Sequence, residues 1–220
     1  MERFRYISRT GDGATDTVSP SGFGASDRVC EETSSGIGSP PKCYKVADVA
    51  GETIAYTCRH TALGLMMMAA TEKGICFVQF GDDQAPLITQ LKKEFPKAVF
   101  SASPPEKAPR LNSWIKALKQ SINQNTPIPD LPLDMRGTAF QIKLWQFLLD
   151  TSAGEVMSYS DLATRAGNPK AFRAAASACA KNRISVLIPC HRVLKGDGSL
   201  GGYRWGLKRK QALLDAERHD

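Results

Sequence analysis

A proline-rich stretch near the middle of the chain most constrains how these 220 residues can fold. Three of the seven residues from Thr126 to Pro132 are prolines. Because proline fixes its own backbone angle and has no amide hydrogen, this stretch can form neither a regular helix nor an internal strand. It predicts a linker, and the chain is long enough for a small packed domain on either side of it.

Before the linker, residues 51–132 have the pattern of a small α/β domain. Short apolar segments separated by turn residues predict strands at residues 53–58, 62–70 and 75–80. Apolar residues at helical spacing then predict one helix from about Asp83 to Glu94 and another from about Leu111 to Asn123. We therefore expect three strands and two helices in this part.

After the linker, residues 133–220 have a helical pattern. Helices are predicted over about 138–149, from an N-cap at Ser158, and over about 169–180. The turn Gly167–Pro169 separates the last two, and Pro169 suits the first turn of the helix that follows. A helix, a glycine-containing turn and a second helix are typical of helix-turn-helix domains, although many helical bundles share this order.

Residues 1–50 differ from the rest of the chain, because Gly, Ser, Thr, Asp and Pro dominate them and no long apolar period occurs. They predict a poorly packed leader. The segment from Gly22 to Lys45 resembles the final helix and tail of an AraC-type helix-turn-helix domain. The remaining helices of such a domain have no room upstream, so we interpret the segment as a remnant that does not bind DNA alone.

The net charge of +7 is confined to the last part of the chain. Residues 136–220 contain 14 Lys and Arg against 7 Asp and Glu, whereas residues 1–135 contain 15 of each. This asymmetry favours a polyanion such as nucleic acid as the partner of the C-terminal part. A basic surface that only confers solubility is the alternative.

The six cysteines show neither a CxxC pair nor a histidine at zinc-finger spacing, so we expect free thiols and no metal site. The sequence also has no run of eighteen uncharged apolar residues and no apolar core of a secretory signal near Met1. These patterns predict a soluble intracellular protein without a membrane partner.

The segment from Ile184 to Val193 carries the chemistry. An apolar run ends at Pro189, and the thiol of Cys190 follows with His191 and Arg192 beside it. A thiolate is the nucleophilic form of cysteine, and a nearby imidazole and positive charge would favour it. Adjacency alone proves little, since neighbours on a strand point to opposite faces.

Four motifs in order resemble the O6-alkylguanine-DNA alkyltransferase family. They are Gly137–Gln141, Asn168–Ala171, Pro189–Val193 and Gly202–Gly206. The resemblance extends from Gly51 to Glu217, and it is nearest to the C-terminal half of bacterial adaptive-response proteins. It implies an α+β fold, with a small ribonuclease H-like N-terminal domain (51–132). The C-terminal domain (133–220) would be a winged helix-turn-helix-like DNA-binding domain that carries the active site.

The resemblance also implies a one-turnover transfer of an alkyl group, typically methyl, from guanine O6 to the protein, without a cofactor or a metal. Cys190 would accept the alkyl group, and His191 would take the thiol proton through a water. Glu217 would orient the imidazole, and Asn182 would brace the turn after the recognition helix and join the relay. Alone, Glu217 would be interpreted as a solvated helix carboxylate and Asn182 as a helix-terminal residue.

By the same resemblance, a monomer would bind duplex DNA through the minor groove and extrude the damaged base. Contacts with DNA or base are implied for Tyr159, Ala171, Phe172, Arg173, Ala176, Val193, Tyr203 and Arg204. Arg173 would fill the space left by the base, and Tyr159 would contact the flipped nucleotide. The carbonyls of Cys190 and Val193 would accept from the guanine amine. Phe172 departs from the small residue usual in the family, so it is expected either to pack inward or to alter the groove contact.

Other functions fit the residues less well. A non-catalytic sensor of alkylated bases would lack Cys190, a thiol hydrolase would need an ester or peptide pocket, and a transcription regulator would use the helix-turn-helix to recognise an operator. O4-alkylthymine is a second candidate substrate. The four-cysteine zinc site of phosphotriester repair is missing, so that activity is not expected.

Overall fold

The computed structural model describes residues 51–102 and 108–218, all of which belong to one compact unit. The leader and its AraC-like segment lie outside the described residues. Within the described part of the chain, no helix combines the length and the apolarity that crossing a bilayer requires.

The N-terminal half is built on a four-stranded mixed sheet. The strands are β1 (Thr53–Thr61), β2 (Gly64–Ala70), β3 (Ile75–Gly81) and β4 (Val99–Ala102), in the order β3-β2-β1-β4. The first three form the antiparallel meander that the sequence predicts, and Met66, Met67 and Met68 of β2 are fully buried. The sequence prediction missed β4, which pairs in parallel with β1 and has only four residues.

Two helices complete this half, α1 (Gln84–Glu94) and α2 (Pro109–Gln124), both close to their predicted limits. Helix α1 buries Leu87 and Leu91 towards the sheet, and Phe95, which follows its last residue, is also buried. Since Pro96 comes next and cannot continue a helix, α1 ends there.

The C-terminal half consists of helices and one short parallel sheet. Its elements are α3 (Ala139–Leu149), β5 (Met157–Ser158), α4 (Tyr159–Arg165), α5 (Phe172–Ala180), β6 (Val193–Leu194) and α6 (Leu207–Glu217). Capping boxes begin α3 at Thr138 and α4 at Ser158, where the side-chain oxygens accept amide hydrogens that a helix start leaves unpaired. The predicted cap at Ser158 is therefore confirmed.

The start of the second helix of the helix-turn-helix, α5, was predicted wrongly. It begins at Phe172, three residues after Pro169, because the amide of Ala171 donates to the carbonyl of Asn168 in a separate turn. This shift brings Phe172 and Arg173 to the first turn of α5, where both side chains are exposed. Helices α4 and α5 pack against each other in the order expected of a helix-turn-helix.

Strand β3 joins the two halves. The amide of Val78 donates to the carbonyl of Arg183 at 2.8 Å, and the amide of Ser185 donates to the carbonyl of Val78 at 3.0 Å. A single apolar core contains Met66 of the sheet, Trp145 of α3 and Cys190. The N-terminal sheet thus fixes the chain just before the cysteine motif.

Candidate active site

The chain reaches Cys190 through two tight turns in a buried loop. In the first, the amide of Leu187 donates to the carbonyl of Ser185 at 2.7 Å around Val186, whose φ is +68°. In the second, the amide of Cys190 donates to the carbonyl of Ile188 at 2.8 Å around Pro189. A positive φ is unfavourable for a β-branched residue, so the surrounding contacts must hold this loop in place.

Asn182 is the residue that holds the loop against the thiol. Its side chain is fully buried, and its Nδ2 donates both to Cys190 Sγ at 3.2 Å and to the carbonyl of Ile188 at 3.1 Å. Its Oδ1 accepts from the amide of Ile184 at 2.8 Å. The amide side chain therefore fixes both ends of the loop and supplies a hydrogen-bond donor to sulfur.

Cys190 to Arg192 form a single 3₁₀ turn, which allows adjacent side chains to share one site. His191 Nε2 lies 2.9 Å from Glu217 Oε1. Arg192 donates to both oxygens of Glu217, at 2.9 and 2.8 Å, and also to the carbonyl and hydroxyl oxygens of Thr151. Helix α6 thus delivers Glu217 to two consecutive residues of the cysteine motif.

The charge state of Glu217 determines the tautomer of His191. Burial alone would raise the pKa of Glu217, but the hydrogen bonds and charges of His191 and Arg192 lower it to about 2. An ionised carboxylate only accepts, so His191 Nε2 carries the hydrogen and Nδ1 has the free lone pair. Nδ1 is buried and has no hydrogen-bond partner among the described residues.

The resting form of Cys190 is the protonated thiol. Burial raises the pKa of Cys190 to about 11, and this outweighs the lowering by the Asn182 hydrogen bond and the Lys210 charge. Burial also lowers the pKa of His191. The charges of Arg192 and Lys210 lower it further, whereas Glu217 raises it. A neutral imidazole beside a protonated thiol can act as a base.

Lys210 is a site residue that the sequence prediction missed. It lies on α6, is fully buried, and its Nζ donates to the carbonyl of Val193 at 2.6 Å. That carbonyl was expected to accept from the guanine amine, so Lys210 already bonds to a predicted substrate contact. A signal existed, because Lys210 shares the buried stripe of Leu213 and Leu214 at helical spacing.

The predicted DNA-contact residues are grouped on α4, α5 and the loop after β6. Arg173 and Phe172 are exposed at the start of α5, with the Arg173 guanidinium carbon 5.7 Å from the centre of the Phe172 ring. Ala171 and Ala176 are partly buried beside them. Phe172 is 45% exposed, so of the two expectations for this residue, packing inward is wrong.

Tyr159 and Tyr203 lie close to the loops near Cys190. A side chain added at Gly201 would lie 2.6 Å from the Tyr159 hydroxyl, so this glycine allows the close approach. The Tyr203 hydroxyl is 3.2 Å from Ser185 Oγ. Burial raises the pKa of Tyr159 to about 12 and that of Tyr203 well above its ordinary value, so both remain hydrogen-bond donors at neutral pH.

Arg204, for which a contact with DNA or base is predicted, extends towards the N-terminal half. Its Nη2 pairs with Glu94 Oε1, and its Nη1 donates to the carbonyl of Asn182 at 3.4 Å. Within residues 51–102 and 108–218, no cluster of three or more His, Cys, Asp or Glu side chains has the arrangement of a metal site.

Two family models match the chain. Residues 54–135 match the ribonuclease-like domain of 6-O-methylguanine DNA methyltransferase, and residues 139–219 match the DNA-binding domain of the same family. The match boundary falls a few residues after the proline-rich stretch. Together the two models cover most of the described chain and the whole cysteine motif.

Relatives and solved structures give the same family. The chain is 39% identical over 98% of its length to the bifunctional transcriptional activator/DNA repair enzyme Ada of Escherichia coli, of which it spans 59%. It is 30% identical over 70% of its length to a methylated-DNA–protein-cysteine methyltransferase of Debaryomyces hansenii, of which it covers 84%. The crystal structure of Mycobacterium tuberculosis OGT in complex with DNA is 28% identical and matches with a TM-score of 0.57 over 75% of this chain and 93% of that chain.

Proposed function

The chain belongs to the 6-O-methylguanine DNA methyltransferase family, and we propose that it repairs DNA by moving an alkyl group from guanine O6 to its own Cys190. The observation that carries this proposal is the arrangement of thiol, imidazole and carboxylate. Sγ receives a hydrogen bond from Asn182, and His191 is held by an ionised Glu217 with Nδ1 left as the acceptor. These groups supply a nucleophile, a base and an orienting anion.

The reaction is a displacement at the alkyl carbon. Cys190 Sγ attacks that carbon, the new S–C bond forms, and the bond from carbon to guanine O6 breaks. The thiol proton passes to His191 Nδ1 through a water and ends on the released base, which regains its N1 hydrogen. The S–C bond of the product thioether does not break again under these conditions, because a thiolate is a poor leaving group from a neutral thioether, so each protein molecule reacts once.

The protonated hydroxyls of Tyr159 and Tyr203 support departure of the base, because a donor near the guanine edge stabilises the charge that develops there. The carbonyls of Cys190 and Val193 and the loop at Arg204 form the rest of the pocket. Since Cys190 is only 3% exposed, the loops around it must admit the base before transfer.

The partner is duplex DNA, entered from the minor groove by α5. Arg173 occupies the space of the extruded base, while Ala171 and Ala176 allow the helix to approach the narrow groove. Phe172, exposed beside Arg173, contributes an apolar contact at the same step. The protein acts as a monomer, in the bacterial cytosol or the nucleus, on O6-alkylguanine and secondarily on O4-alkylthymine.

Intact-protein mass spectrometry tests the proposal. After incubation with an excess of duplex bearing one O6-methylguanine, we expect a gain of one methylene on the peptide that contains Cys190, without turnover. A Cys190→Ser variant should bind the same duplex and gain no mass. An unchanged mass, or a methyl group on another side chain, would contradict the proposal.

A further inference from the structure

Two polar side chains of the N-terminal half reach the two loops that border the active site. Gln79 of β3 is 1% exposed. Its Nε2 donates to the carbonyl of Arg183 at 3.3 Å, and its Oε1 accepts from Trp205 Nε1 at 2.7 Å. Gln79 therefore joins the turn at residues 182–183 to the loop at residues 203–205.

Glu94, at the end of α1, joins the same two segments a second time. Its Oε2 accepts from Arg183 Nε at 2.6 Å, and its Oε1 pairs with Arg204 Nη2. The three side chains are between 17% and 21% exposed, so the ion pairs are largely shielded from water. Although burial would raise the pKa of Glu94, hydrogen bonds from Arg204 and Arg183 lower it, so the carboxylate is ionised at neutral pH.

The path from Glu94 to the nucleophile is short. Arg204, held by Glu94, also donates to the carbonyl of Asn182. Arg183 is the next residue in the chain, and Asn182 Nδ2 donates directly to Cys190 Sγ. The carbonyl of Asn182, through Arg204, and the next residue, Arg183, are thus both tied to one carboxylate of the other half.

We propose that Glu94 is a positioning residue for the transfer reaction, which ties the turn at residues 182–183 to the loop at residues 203–205 so that the Asn182 amide stays on the Cys190 sulfur. This inference rests on the proposed function of Cys190. It gives the ribonuclease-like half a direct part in the chemistry, with Gln79 as a second tie between the same segments.

Replacing Glu94 with glutamine separates positioning from packing. The variant keeps the size of the side chain, but one of the two carboxylate oxygens becomes an NH₂ group. Because arginine can only donate hydrogen bonds, this NH₂ group cannot pair with the arginine that it faces. The turn then loses a fixed position and Sγ loses its donor, so ionisation of Cys190 becomes harder. The other titratable groups coupled to Cys190 are unchanged, namely Tyr159, Cys179, Tyr203 and Lys210.

The experiment measures single-turnover transfer from an O6-methylguanine duplex at increasing DNA concentration and across pH. For Glu94→Gln we expect the limiting rate at neutral pH to fall on the order of 10- to 100-fold, as for a small misplacement of a reacting group. The DNA concentration at half-saturation should stay unchanged. The increase of the rate with pH should occur at higher pH than in the wild type, because the apparent pKa of Cys190 increases.

Asp82→Asn is the matched control. It removes the same charge from the same half, but Asp82 is exposed and faces Arg209 at 3.6 Å. Arg183→Met breaks the tie from the other side, so it should shift the pH profile in the same direction, and the double variant should be no worse than either single one. Arg183→Met, compared with Asp82→Asn, retains the test if Glu94→Gln does not fold.

A Glu94→Gln protein with the rate and pH profile of Asp82→Asn would overturn the inference. A loss of rate that matches the unfolded fraction and leaves the pH profile in place would also overturn it, since Glu94 would then act only on stability. If the wild type itself transfers no alkyl group to Cys190, the proposed function fails before Glu94 is tested.

Discussion

Replacing Glu217 with glutamine should prevent His191 from acting as a base and should also lower the free energy of unfolding. The two effects can be measured separately. The carboxylate now accepts from His191 Nε2 and twice from Arg192. A glutamine amide can donate to Nε2, which moves the imidazole hydrogen to Nδ1 and removes the acceptor that the thiol proton needs. Since general base catalysis contributes roughly 10²- to 10⁴-fold, we expect a loss of transfer rate of that order.

The effect on stability follows from the pKa of Glu217, which falls from 4.5 to about 2. A difference of this size corresponds to about 3 kcal/mol. Solvent screening of a carboxylate that is 13% exposed reduces the figure to about 2 kcal/mol. Because the folded-state pKa is depressed, this stabilisation is complete above pH 4.5 and is lost as the pH falls towards 2.

Urea unfolding of wild type and Glu217→Gln at neutral pH and near pH 2.5 measures this contribution. The two free energies of unfolding should differ by about 2 kcal/mol at neutral pH and converge in acid. Quenched-flow transfer in a His191→Gln background provides the control, because Glu217→Gln should cost little more once the base is gone. A variant that transfers at near wild-type rate would refute the relay from Glu217 to His191. Equal destabilisation at both pH values would refute the contribution of the ionised carboxylate to stability.

Three further predictions follow from the same geometry. Lys210→Met should slow transfer and move the pH profile of the transfer rate upward, because the Lys210 charge lowers the pKa of Cys190. Arg173→Ala should slow transfer from duplex DNA far more than transfer from a free alkylated base in the same assay, with the exposed Leu207→Ala as a control. Val186→Gly should lower the free energy of unfolding, measured in urea, by about 1 kcal/mol. The loss of the buried valine side chain costs roughly 2 kcal/mol, and removal of the strain of a positive φ offsets about 1 kcal/mol of that cost.

Local signals in the sequence predicted most of the fold. The cap at Ser158 involves residues three positions apart, and the meander of β1 to β3 depends on short turns, so both follow from neighbouring residues. Strand β4 depends on pairing with β1 across two other strands and a helix, and four residues give no usable period. Proline is equally compatible with the first turn of a helix and with the turn that precedes a helix. The presence of Pro169 therefore does not determine where α5 begins.

The identities of the site residues were easier to predict than their chemical states. Motifs in the sequence pointed to Cys190, His191 and Glu217, and the structure brings them together. The motif shows the positive charge beside Cys190, which favours a thiolate, but it does not show the burial that raises the pKa of the thiol. Glu94 gave no signal, since its partners Arg183 and Arg204 lie 89 and 110 residues away along the chain.

A buried, protonated thiol suits a nucleophile that reacts once. Because burial raises the pKa of Cys190 to about 11, the thiol is protonated at neutral pH. Oxidation and stray alkylation follow thiolate character and exposure, so the resting site is protected from both. Transfer then requires that the damaged nucleobase bring its alkyl carbon to Sγ while neutral His191 takes the thiol proton. Entry of the nucleobase is therefore the step that activates the sulfur.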